Sequence, residues 1–253
     1  MIEAKFKELV EIIKKLRVEC PWDREQTNDS IKASTIEEAY EVVEAIDEKN
    51  FEELRIELGD LLLHVIFHSV IAEGENKFNL EEVINSITEK LIRRHPHVFG
   101  DVDVSGAEEV KRNWESIKLK EGRNSVLDGV PVNMPALQSA YRLQEKASKV
   151  GFDWNNKRDI WKKVIEEIDE MHQAEKVKNE NDLEKEIGDV FFAMVNYSRF
   201  LGVNPENALR LTNKKFIKRF NYVENQMEQL GKKINESNLE EMDKYWNESK
   251  KFD

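Results

Sequence analysis

Two stretches of this chain carry the same acidic pattern in the same order. Glu37-Glu38-Ala39-Tyr40-Glu41 is followed, 16 residues after Glu41, by Glu57-Leu58-Gly59-Asp60. Glu166-Glu167-Ile168-Asp169-Glu170 is followed by Glu186-Ile187-Gly188-Asp189, again with 16 residues from Glu170 to Glu186. The displacement is 129 throughout (166 − 37, 170 − 41, 189 − 60). Residues three apart on a helix share a face, so Glu38 with Glu41, and Glu57 with Asp60, each project from one side. The second pair runs into Leu61, Leu62, Leu63, Val65, Ile66 and Phe67, a run expected inside a core. Carboxylates set into so apolar a helix are costly if left unpaired. A divalent cation held between them removes that cost. Oxygen-only ligation points to Mg2+ or Mn2+ rather than zinc or copper.

The repeat extends past the acids. Lys90-Leu91-Ile92-Arg93-Arg94 matches Lys215-Phe216-Ile217-Lys218-Arg219 at a displacement of 125, and Glu108 through Trp114 to Lys118 matches Glu240 through Trp246 to Lys250 at 132. The order in both halves is acidic pair, acidic pair, basic pair, tryptophan. An internal duplication spanning nearly the whole chain follows, too long and too few in number for a solenoid.

With 40% hydrophobic and 36% charged residues, and only 10 Gly and 5 Pro in 253, long helices are favoured and an all-α fold is expected. A formal charge of −12 argues against nucleic acid as a partner, yet leaves room for a phosphate substrate carried on a metal ion. The lone cysteine, Cys20, excludes an internal disulfide and fits a reducing cytoplasm. The opening Met1-Ile2-Glu3-Ala4-Lys5 does not resemble a signal peptide, and no apolar run is long enough for a membrane span.

Phe6, Leu9, Val10, Ile13 and Leu16 mark a first amphipathic helix ending near Cys20-Pro21-Trp22-Asp23, where Trp22 is expected to pack. Thr35 with Glu38 reads as a capping box opening a second helix, and Ser237 with Glu240 as another opening the last. A long helix is expected over about Phe51 to Ala72. Gly59 inside it, like Gly188 in the second copy, calls for a close neighbour or for space to admit a hydrated ion and phosphate. Asn79 can cap a helix with Val83, Ile84, Ile87 and Leu91 inward and with Lys90 and Arg94 on one face, as a phosphate clamp or a solvated basic surface. His64, His68, His95 and His97 invite a metal reading, but Ala193 and Tyr197 stand where His64 and His68 would repeat, so structural roles are expected. Gly122, Gly129, Pro131 and Pro135 mark a junction, giving modules at 1–121 and 136–253 with a linker at 122–135. Pro205 is placed for the first turn of the helix carrying Lys215 and Arg219.

Together, Cys20-Pro21-Trp22-Asp23, both acidic sets, Arg93-Arg94-His95-Pro96-His97-Val98-Phe99 and Gly151-Phe152-Asp153-Trp154 resemble the MazG family of nucleoside triphosphate pyrophosphohydrolases in its two-module form. The resemblance implies four-helix modules completed by dimerisation. It also implies hydrolysis of ribo- and deoxyribonucleoside triphosphates to monophosphate and pyrophosphate with Mg2+. By the same likeness Glu38, Glu41, Glu57 and Asp60 hold metal in one module, and Glu167, Glu170, Glu186 and Asp189 in the other. Lys215, Arg219 and Trp246 contact the nucleotide, with Lys90 and Arg94 their counterparts in the first copy. The family's C-terminal module is the more dependable catalyst, although here both retain every acidic position. Glu37 and Glu166 remain to orient or deprotonate the attacking water. The competing readings are a duplicated helical module that binds nucleotide or a partner helix without catalysis, and a carboxylate-bridged iron oxidase, which the missing Glu-x-x-His pairs disfavour.

Overall fold

The computed structural model describes residues 1–121, 125–177 and 180–252. Residues 122–124 at the head of the expected junction, Gly122 among them, lie outside that description, as do the side chains at 108, 111, 112, 115, 119 and 120, Glu108 of the repeat included. The described residues are all helix and loop, with no strand. They fall into two compact units, Met1–Val110 and Lys111–Asp253.

The first unit holds α1 (Ile2–Glu19), α2 (Pro21–Glu25), α3 (Lys32–Glu48), α4 (Phe51–Gly74), α5 (Leu80–Arg94) and α6 (Pro96–Phe99), and α7 (Ala107–Lys120) spans the boundary. The second holds α8 (Ala136–Ser148), α9 (Lys157–Val177), α10 (Glu180–Phe200), α11 (Pro205–Gln229) and α12 (Leu239–Ser249). Local chemistry sets most of the ends. Pro21 stops α1, since it has no N–H for the ladder. Asn79 and Glu82 exchange side chain-to-backbone bonds in a capping box at α5. Pro205 takes the first turn of α11 behind an Asn204 cap.

In the first unit α4 packs along α3 and is crossed by α1. Ile13, Ile31, Ile66, Phe67, Val70 and Ile71 close over each other there. In the second unit α10 packs along α9 and against α8, and Ile160, Val164, Val195, Val223 and Met227 are buried.

Four expectations need correction. Thr35 does not cap α3: the helix starts at Lys32 behind Ile31, because the turn before it is already closed by reciprocal Thr27–Ser30 bonds. Glu38 is thereby free of any capping duty. At α12 the cap is Asn238, one residue later than Ser237, and it takes the N–H of Glu241 at 2.9 Å. Trp22 is not packed but 64% exposed. The apolar faces of α4 and α5 are only partly covered: Leu62, Leu63, Val65, Ile84, Ile87 and Leu91 are exposed, Val83 is half-buried, and burial on α4 is deep only from Ile66 onward. Periodicity marks an apolar face without specifying what covers it.

Thr35 instead ties α3 to α4. Its hydroxyl lies 2.9 Å from His64 Nδ1 and 2.8 Å from His68 Nε2, and His68 Nδ1 meets Asn28 Oδ1 at 2.6 Å. Burial, aided by His64, pushes the His68 pKa down and favours the neutral ring. From its partners, that ring donates from Nδ1 to Asn28 Oδ1, with Nε2 beside the Thr35 hydroxyl, which also donates to the Ile31 carbonyl at 3.1 Å. These two histidines are therefore engaged structurally. Replacing Thr35 by Val is expected to lower stability by about 1–3 kcal/mol, because ring nitrogens lose a partner away from solvent. Urea unfolding measures it, and an unchanged midpoint would refute the network.

Candidate active site

Each helix pair brings its acids together. On α3 and α4, ligand oxygens of Glu38, Glu41 and Glu57 lie within 4.8 Å of one another, and on α9 and α10 so do those of Glu167, Glu186 and Asp189. The fourth acid of each set stands close by. Partial desolvation, then Glu41 and Asp60, raises the pKa of Glu38, with His64 opposing. Partial desolvation, then Glu41, raises Glu57. Glu170 is raised by desolvation and then by Glu167, with Glu186 adding to it. Six of the eight acids named from the sequence thus make up the two groups, and Asp60 and Glu170 interact with them electrostatically.

Their burial is less than the sequence suggests. Glu167 is 7% exposed, Glu38, Glu57 and Glu186 are half-buried, and Glu41, Glu170 and Asp189 are exposed. A cation would therefore relieve both the partial desolvation and the crowding of like charge. The donor set fits Mg2+ or Mn2+: hard oxygens only, several carboxylates, and exposed members that leave room for water. A Cβ added at Gly59 or Gly188 meets nothing within 4 Å, so these glycines border open space rather than a tightly packed neighbour.

The two clusters differ in their counter-charge. His64 Nε2 stands 3.8 Å from Glu38, whereas Lys163 Nζ lies 2.7 Å from Glu167 and 2.8 Å from Glu166. These hydrogen bonds push the Lys163 pKa up and keep it charged. Ser34 stands where Lys163 would repeat, 129 residues earlier. Sequence reasoning missed Lys163, although its position four residues before Glu167 on one helix was a usable signal.

Beside the second cluster opens a cavity of about 720 Å3. Glu167, Asp189 and Lys163 form one side, and Leu143, Phe152, Trp154 and Phe192 give most of the apolar wall. The turn that brings Phe152 and Trp154 there needs Gly151, whose φ of +87° lies in the left-handed region. Arg199 pairs with Asp153 and with the side-chain carbonyl of Asn196, fixing this wall.

The remaining sequence-named residues are placed less centrally. Arg219 lies over the Trp246 ring at 5.7 Å and lines a second cavity of about 330 Å3, with Phe216 5.1 Å from Trp246. None of the residues lining that cavity lines the larger one. Lys215 is exposed one turn before Arg219, and on α5 Lys90 is exposed while Arg94 is half-buried. Glu37 and Glu166 are exposed beside the clusters, Glu166 in an ion pair with Lys163. His95 contacts the Leu91 carbonyl through Nδ1, and no histidine joins a candidate metal group among the described residues.

The described residues thus form an all-α chain with two repeated carboxylate clusters on helix pairs, the second beside an apolar cavity. The model of the MazG nucleotide pyrophosphohydrolase domain matches it twice, at residues 26–99 and 156–224, and the chain belongs to that family. It is 46% identical to the nucleoside triphosphate pyrophosphohydrolase/pyrophosphatase MazG of Thermotoga maritima, over 97% of this chain and 95% of that one. It is 42% identical to the nucleoside triphosphate pyrophosphohydrolase of Escherichia coli K12, over 92% and 90%. Identity to YabN of Bacillus subtilis is 46% over 99% of this chain, which spans 52% of that longer protein. No helix among the described residues is long and apolar enough to cross a membrane.

Proposed function

We propose that this protein hydrolyses nucleoside triphosphates, ribo- and deoxyribo- and of broad base range, to the monophosphate and pyrophosphate in a Mg2+-dependent reaction, Mn2+ substituting. The setting is control or cleansing of the cytoplasmic nucleotide pool. One observation carries the reading: a tight carboxylate cluster at the edge of an apolar cavity of about 720 Å3, within the size range of small-molecule sites. The names of the relatives agree with it.

Glu167, Glu170, Glu186 and Asp189 are assigned to hold the ion in the second unit, and Glu38, Glu41, Glu57 and Asp60 in the first. When bound, the ion neutralises phosphate charge and makes a bound water more acidic. The chain's own work is positioning and charge stabilisation, as in phosphoryl transfer generally. Glu166, and Glu37 in the first unit, are assigned to orient the attacking water, Glu166 exchanging its Lys163 contact for that role. Lys215 and Arg219 are assigned to the outer phosphates, with Lys90 and Arg94 as their first-copy equivalents, and Arg219 can bind two oxygens at once. Trp246 is assigned to contact the nucleotide. A homodimer is proposed because each unit leaves apolar residues exposed, Ile84, Ile87 and Leu91 on α5 in the first and Phe216 and Ile217 on α11 in the second, which a second copy could cover.

Purified protein with a triphosphate and Mg2+ is expected to release pyrophosphate and monophosphate, and EDTA is expected to stop it. Release of orthophosphate and diphosphate would move the cleaved bond. Tight nucleotide binding without release of either would favour the non-catalytic module.

A further inference from the structure

One residue lining the large cavity of the second unit carries a buried acceptor with no hydrogen-bond partner. Gln144, on α8, is 7% exposed and lines this cavity. Its Nε2 donates to the Phe192 carbonyl at 2.8 Å, which fixes the amide orientation, since a flipped amide would set two carbonyl oxygens against each other. Its Oε1 is left buried without a hydrogen-bond partner. A buried unsatisfied acceptor is uncommon in a folded protein and calls for an explanation.

A second amide is prepared in the same wall. Asn196 Oδ1 receives two N–H groups of Arg199, at 3.1 and 2.8 Å, so its Nδ2 is the end left to donate to a guest. Arg199 is itself held by Asp153.

The first unit shows that the fold does not require an amide at the Asn196 position. At the 129 of the acidic sets, Asn196 answers to Phe67, which is buried in the core of the first unit.

We propose that Gln144 Oε1 accepts a hydrogen bond from an N–H on the edge of the nucleobase, and that Asn196 Nδ2 donates to the acceptor beside it. The proposal rests on the nucleotide reading above and deepens it, making Gln144 the residue that senses a base. Adenine and cytosine offer an exocyclic amine, guanine a ring N–H and an amine, and uracil and thymine a ring N–H. One acceptor therefore serves every common base, in keeping with a broad range, while rejecting rings from which the N–H has been removed.

The test compares ATP with purine riboside triphosphate, which lacks the amine, and UTP with N3-methyl-UTP, which lacks the ring N–H, on the full chain with Mg2+. Each modified nucleotide is expected to show kcat/KM about tenfold or more below its parent, because the buried acceptor stays unpaired. In Gln144→Met the parents fall and the gap closes to within about twofold. Equal kcat/KM for parent and modified nucleotide in the unaltered protein would overturn the proposal. A Gln144→Met protein that loses activity evenly and keeps the gap would do so too, assigning Gln144 to packing. Calorimetric binding of the α,β-methylene forms of ATP and purine riboside triphosphate decides the question without turnover. A tenfold affinity gap there sustains the assignment even if pyrophosphate release fails, and equal affinities sink it.

Discussion

Asp189→Asn is expected to reduce pyrophosphate release by about a hundredfold or more, since loss of a metal-orienting group alone costs about 10–100-fold and Asp189 is assigned as a ligand itself. The substitution keeps the volume of the side chain and removes its charge from a group of three carboxylates whose oxygens lie within 4.8 Å. It also places a polar amide where the cavity meets the cluster, so the apolar wall is left as it was. Because like charges crowd this site, the metal-free variant should melt no lower than the unaltered protein, which separates a damaged site from a damaged fold. Any residual turnover is expected to vanish when Asp60→Asn is added, if the first unit supplies it. Unaltered turnover in the double variant, measured by pyrophosphate release at saturating Mg2+, would end the carboxylate account.

The second large effect is on thermal stability. Glu38, Glu57 and Glu170 have pKa values raised above the ordinary 4.5, by partial desolvation first and neighbouring carboxylates next. The folded chain therefore holds these protons more tightly than the unfolded chain. The sign follows: without metal, their contribution is most favourable near and below pH 4.5 and is lost as pH rises through the raised folded values. Mg2+ competes with those protons and reverses the penalty once the acids ionise. At about a hundredfold above its dissociation constant it would add about 2.7 kcal/mol, or roughly 5–10 °C in Tm for a chain of this size. Calorimetry with and without Mg2+ should show that rise at pH 7.5 and almost none at pH 4. A shift of equal size at both values would place the ion elsewhere.

What was legible in the sequence, and what was not, divides along a physical line. The acids could be read because charge inside an apolar helix is conspicuous, and the repeat made their grouping plain. Helix ends were legible where one residue decides them, as at Pro21, Asn79 and Pro205. Thr35 and Ser237 misled because a hydroxyl three residues before a glutamate arises readily by chance in so acidic a chain. Whether the helix already runs depends on what precedes the hydroxyl, as the Thr27–Ser30 turn shows. Leu62, Ile87 and Leu91 were expected inside because the spacing shows an apolar face and says nothing about its cover. Gln144 and Asn196 carried no signal: an amide on an amphipathic helix reads as surface until tertiary structure binds one end of it and strands the other.

The duplication placed Phe67 in the buried core of the first unit while its counterpart Asn196 borders a hollow. A hollow forgoes dispersion contacts that only an occupant can restore. The same spot is thus filled by the chain's own side chains in one half of the molecule and left open in its twin.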